Sequence, residues 1–110
     1  MPTAPLATAR EPARSEIDAL PGPTLLEFGT SWCGFCRAAQ PHIAAALREH
    51  PEVRHIKVED GSGLPLGRSF AVRLWPTLVF LRDGKEQARL VRPRDSGATV
   101  EQLARIAPTP

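Results

Sequence analysis

The sequence predicts an α/β domain built on a mixed central sheet of about four strands flanked by helices on both faces, and three observations carry that prediction. Helical and strand-like segments alternate in the order helix, strand, helix, strand, helix, strand, strand, helix. A long helical segment joins the first two strands, which is the connection parallel strands need. The last two strands meet at Asp83-Gly84, a strong two-residue hairpin signal, so they pair antiparallel.

Each element follows from local pattern. The first helix covers 11–20: Ile17 and Leu20 lie three apart, Pro12 is tolerated in a first turn, and Pro21-Gly22-Pro23 is a stop. The strand over 24–28 has the length and apolar character of a buried strand apart from Glu27. From Cys33 onward Cys36, Ala39, Ile43, Ala46 and Leu47 recur at three and four, giving a helix that ends near His50-Pro51 and contains Pro41, which removes one internal hydrogen bond. A second strand spans 53–58, a loop 59–63, and Leu66 with Phe70 mark a short helix. Pro76 opens the strand over 77–81, and the hairpin leads into 86–91. Thr99 with Gln102 reads as a capping box ahead of a closing helix carrying Val100, Leu103, Ala104 and Ala107. Segment 1–10 and the tail 108–110 hold prolines and few large apolar residues, so they are expected to be loosely ordered around a domain over 11–107.

A chain of 110 residues, 42% hydrophobic and 24% charged, has the size of one soluble domain. A fold of this length buries about 65% of the surface its unfolded chain exposes, enough for one core without metals or several disulfides. The two cysteines are therefore free for chemistry. Basic and acidic residues, 14 against 12, are interleaved and net to +2, which gives no clustered face for nucleic acid. The longest uncharged run is ten residues, 38–47, whereas a membrane span needs about 18 apolar ones. The N-terminus carries neither an early positive charge nor an apolar stretch of signal-peptide length, so a cytoplasmic monomer without membrane partners is expected.

Chemistry concentrates in Trp32-Cys33-Gly34-Phe35-Cys36, two thiols three apart where a strand hands over to a helix. Free N–H groups and the positive end of the helix dipole stabilise a thiolate there, and the thiolate is the nucleophile of disulfide exchange. Cys33, the first and expectedly more exposed thiol, takes the lowered pKa. Cys36, one turn further in, reaches the same sulfur and resolves the adduct. Glu27, a carboxyl inside a strand, is expected to have a raised pKa and to accept the proton from Cys36. An edge position with the carboxylate in water is the competing reading.

With the strand before it, Pro41 in the helix after it and Trp75-Pro76-Thr77 further on, this segment resembles thioredoxin over nearly the whole chain. The resemblance implies the thioredoxin fold, protein-disulfide reductase activity, and no cofactor beyond a redox-active Cys33/Cys36 pair. It also implies disulfide-containing client proteins and recycling by a partner such as thioredoxin reductase. It puts a cis peptide before Pro76 and has the Trp75 backbone bind an extended client segment, with Trp32 and Gly34 completing the rim. Glu27 falls where the family has a buried aspartate, and His55 where it has a lysine, so a coupled Glu27–His55 pair is conceivable. His42 and His50 receive no role.

Three positions depart from the family pattern. Phe35 stands where proline is usual and predicts a potential more oxidising than that of a typical thioredoxin. Trp75 replaces a smaller aliphatic residue, so its ring either overhangs the groove beside Trp32 or packs into the core. Arg92-Pro93-Arg94 replaces a valine-glycine pair in a longer segment, and where Arg92 borders the site it favours acidic partners. Two rival readings keep less of the chemistry. A zinc site would need two ligands beyond Cys33 and Cys36, and the chain has no second Cys-x-x-Cys. A non-catalytic binding or redox-sensing module would leave the buried acid without a purpose.

Overall fold

The computed structural model describes residues 11–108, so segment 1–10 and the end of the tail lie outside the described residues. The elements are α1 (Arg14–Asp18), β1 (Pro23–Gly29), α2 (Gly34–Arg48), β2 (Arg54–Glu59), α3 (Pro65–Ser69), β3 (Thr77–Arg82), β4 (Lys85–Val91) and α4 (Ser96–Ile106). They follow the order read from the sequence. The four strands form one sheet in the order β2-β1-β3-β4, with β1 and β2 parallel and both remaining pairs antiparallel. Asp83 and Gly84 both take positive φ, 52° and 79°, as the two-residue hairpin requires.

Two ends differ from the sequence expectation. The first helix begins only at Arg14, not at Glu11. Pro12 disfavours helical backbone in the residue before it, and the Glu16 carboxylate closes the first turn by accepting the Ala13 N–H at 2.8 Å. Glu11 instead accepts the Leu66 N–H at 2.9 Å, tying the entry segment to the start of α3. The last helix begins at Ser96, and its cap is Asp95, which accepts the Ala98 N–H at 3.1 Å. Thr99 is no cap: it is buried inside α4 with its hydroxyl unpartnered.

Alternation along the strands divides the core in two. Leu26, Phe28, Val79 and Leu81 face α1 and α3, packing with Ile17, Leu66 and Phe70. Leu25, Leu78 and Phe80 face α2 and α4, packing with Ile43, Leu103 and Ile106. Full burial of a side chain of this size contributes about 1.5–3 kcal/mol, so both layers are anchored through the sheet. Successive strand residues point to opposite faces, which puts Glu27 on the face of Leu25, beneath α2. Because β1 is flanked by β2 and β3, Glu27 is on an interior strand and only 3% exposed. Its reading as an edge residue in water is thereby removed. Among the described residues no helix is long and apolar enough to cross a membrane.

Candidate active site

Strand β1 ends at Gly29 and α2 starts at Gly34, so residues 30–33 carry the chain from the sheet onto the helix. Cys33 is the N-cap of α2. Its backbone is extended, and its Sγ accepts the Cys36 N–H at 3.2 Å, where other helices use a hydroxyl or carboxylate. Exposure barely separates the two thiols: Cys33 is 7% exposed and Cys36 5%. Cys33 is the more exposed, as expected, but by so small a margin that electrostatics is what distinguishes them.

Burial pushes the Cys33 thiol up, but hydrogen bonds from the Cys36 thiol and from the Cys36 and Phe35 N–H groups, with the charge on Arg92, outweigh it and lower its pKa. Cys36 moves the other way. Burial, the hydrogen bond it gives to Cys33, and the negative charges of Cys33 and Glu27 push it up to about 11, against a smaller opposing contribution from the Thr30 backbone. Gly29 lies directly behind this thiol; a Cβ there would come within 2.8 Å of Cys36 Sγ.

Below the pair, Glu27 has both carboxylate oxygens occupied. Oε1 lies 2.7 Å from His55 Nε2, and Oε2 accepts from Gln40 Nε2 at 2.7 Å. The Gln40 amide also donates to the Cys36 carbonyl at 3.2 Å, and its Oε1 accepts from Lys57 at 3.2 Å. Burial raises the carboxyl, but the hydrogen bonds from His55 and Gln40 and the charges of His55 and Lys57 prevail, so its pKa is lowered. This corrects the expected upward shift. Sequence reasoning named His55 as a partner, which the structure bears out, but it took desolvation to prevail and missed Gln40 and Lys57. Gln40 was discoverable, because it sits four residues after Cys36 and therefore on the same helix face.

The facing wall is the segment before β3. The Trp75–Pro76 peptide is cis, as the resemblance implied, and the Trp75 carbonyl lies 3.9 Å from Cys33 Sγ as acceptor of its thiol. The Trp75 ring meets Trp32 edge-on at 5.6 Å between centroids while also packing on the core, so both readings of this residue hold. Its Nε1–H donates to Asp60 Oδ2 at 2.8 Å, a partner the sequence gave no signal for. Arg92 reaches in from the end of β4: Nε donates to the Trp75 carbonyl at 2.8 Å, and the guanidinium lies 3.8 Å from the centre of the Phe35 ring. Trp32 and Phe35 are 68% and 58% exposed, and Gly34 opens α2 in solvent with nothing near its missing Cβ. Leu74 and Val91, the other exposed large hydrophobics among the described residues, directly precede Trp75 and Arg92.

Two adjacent thiols of opposite acidity, capped on a helix over a buried carboxylate, define a centre for dithiol/disulfide exchange. Among the described residues no cluster of three or more His, Cys, Asp or Glu side chains could hold a metal ion. The thioredoxin family model matches residues 6–105. The thioredoxin of Chlamydia trachomatis is 31% identical over 84 residues, 76% of this chain and 82% of that protein. An H-type thioredoxin of Nicotiana tabacum is 35% identical over 79 residues, 72% of this chain and 59% of that protein. Thioredoxin 2 of Pseudomonas aeruginosa, solved in its reduced form, is 56% identical with a TM-score of 0.78, covering 88% of this chain and 94% of that one. The chain belongs to the thioredoxin family and is a thiol-disulfide oxidoreductase. Thioredoxins in general act on disulfide substrates and are recycled by thioredoxin reductase.

Proposed function

We propose that the reduced protein reduces disulfides in client proteins, with Cys33 as nucleophile, Cys36 as resolving thiol and Glu27 as proton acceptor. The observation that carries this reading is the Cys33 sulfur capping α2 and accepting the Cys36 N–H at 3.2 Å, with the cis Trp75–Pro76 wall facing it and buried Glu27 below. The opposed acidity of the two thiols agrees with it. The Cys33 thiolate attacks one client sulfur and forms a mixed disulfide, and the first client thiolate leaves and takes a proton from solvent. Cys33 has then lost its charge and no longer accepts a hydrogen bond from the Cys36 thiol, so two of the causes that hold the Cys36 pKa near 11 are gone. The Cys36 proton passes to the Glu27 carboxylate, the Cys36 sulfur attacks Cys33, and the second client thiolate departs. Two electrons have moved to the client, and the protein is left with a Cys33–Cys36 disulfide.

No cofactor is assigned beyond that cysteine pair. A thioredoxin reductase is the proposed source of the two returning electrons, and a reducing compartment such as the cytoplasm is the proposed setting. Trp32, Gly34, Phe35, Trp75, Pro76 and Arg92 form the proposed client surface, with exposed Leu74 and Val91 extending its apolar part. The protein is proposed to act as a monomer.

The test is a pair of variants incubated with a disulfide-bonded protein. Cys36→Ser is expected to accumulate a covalent, reductant-sensitive adduct at Cys33, and Cys33→Ser to form none and to lose turnover. A Cys33→Ser protein that retains the client while the wild type reduces nothing would establish a binding module instead.

A further inference from the structure

Resting on the reductase reading, we infer that Arg92 is a specificity-determining clasp that selects clients carrying a carboxylate beside the reactive cysteine on an otherwise apolar segment. Three features of Arg92 lead there. Its backbone has a φ of 53°, a left-handed conformation that non-glycine residues seldom adopt, held by its N–H donating to the Pro76 carbonyl at 3.0 Å. Its guanidinium is spread on the Phe35 ring and donates to the Trp75 carbonyl. Among the described residues no carboxylate pairs with it, whereas Arg14 has Asp18 and Arg89 has Glu86.

Arg92 therefore competes for a main-chain acceptor that an extended client segment would use. Main-chain pairing along Trp75 uses its carbonyl, and that oxygen is occupied by Arg92 Nε. A client entering beside Cys33 displaces the guanidinium and leaves a half-buried cation with one hydrogen bond fewer. A client carboxylate at that spot restores the loss with a charge-assisted, bidentate pair, while a neutral client does not and a cationic one adds repulsion. Exposed Trp32, Phe35, Leu74 and Val91 around the same spot supply the apolar contact, so the preferred segment joins apolar residues to one acid next to its cysteine.

The experiment follows reduction of three cyclic disulfide peptides, identical except for Glu, Gln or Lys beside one cysteine, by the pre-reduced protein in single turnover, with the neutral hydroxyethyl disulfide as reference. The Glu peptide is expected to react about fivefold faster than the Gln peptide at low ionic strength, the Lys peptide more slowly than either, and the spread to shrink with salt. In Arg92→Gln the Glu-to-Gln ratio is expected to fall to about one, in Arg92→Lys to an intermediate value, and in Arg94→Gln to remain as in the wild type. A wild-type ratio near one overturns the inference. So does an Arg92→Gln protein slowed equally on all four disulfides, since Arg92 would then act only through the Cys33 thiolate. A ratio lost equally in Arg94→Gln overturns it in favour of a general basic field. A wild type that reduces none of the disulfides removes the reductase reading itself, and the clasp with it.

Discussion

Glu27 shows how three neighbours reverse the effect of burial. A carboxyl that is 3% exposed would be raised by desolvation alone, yet His55, Gln40 and Lys57 bring donors and charge that hold it ionised. Glu27 is thus ready to accept a proton at neutral pH, and its base strength is modest. In Glu27→Gln the first attack by Cys33 should be little changed, while resolution of the mixed disulfide should slow by about a hundredfold, the usual scale for losing a positioned base. Rapid-quench trapping of the adduct separates the two steps. Replacing His55 with Phe removes a donor and a charge, so the carboxyl pKa should rise and the acid limb of the resolution rate should move to higher pH. An unchanged profile in His55→Phe would show that Gln40 and Lys57 sustain the carboxylate without it. The sequence placed Glu27 in a strand and marked its role, but the sign of its shift depends on partners that are 13, 28 and 30 residues away.

At the level of elements, what the sequence made legible was whatever is written locally. The hairpin at Asp83-Gly84, the crossover helix α2 and the apolar alternation of β1 and β3 all came from near neighbours in the chain, and all stand in the structure. Helix ends were less legible, because a capping signature can occur by chance within a helix. Thr99 and Gln102 have the spacing of a capping box, but Asp95 caps α4 and Gln102 accepts from Arg105. The two assignments predict opposite results. Asp95→Ala should lose about 1 kcal/mol of stability through the exposed Ala98 N–H. Thr99→Val should be neutral or stabilising, because it replaces a buried hydroxyl without a partner by a methyl group of similar volume. Urea unfolding of both variants decides between them, and a loss in Thr99→Val comparable to that in Asp95→Ala would restore the sequence assignment.

For the whole molecule, the fold and the redox couple are joined through the same groups, so both stability and potential carry their mark. Glu27 has a lower pKa in the folded chain than when unfolded, so the folded state binds fewer protons across that window. The stability it contributes is fully present above the unfolded carboxylate value, about 4.3, and is lost as pH falls through the folded value. Glu27→Gln should therefore flatten the acid limb of a stability-against-pH curve. The potential responds to Cys33 in a similar way. Hydrogen bonds and the Arg92 charge stabilise its thiolate, which exists only in the reduced protein, so they favour reduction and make the couple more oxidising. The departure of Phe35 from the family's usual proline predicts the same direction, and its ring is the platform on which Arg92 lies. Equilibration with glutathione redox buffers, read by Trp32 and Trp75 fluorescence and thiol counting, should place the midpoint above the value of about −270 mV typical of thioredoxin. Arg92→Gln should move it back down, since removing the cation weakens the thiolate without touching either sulfur. A wild-type midpoint at or below the typical value would show that neither residue raises the potential, and the acidity of Cys33 would then serve reactivity alone.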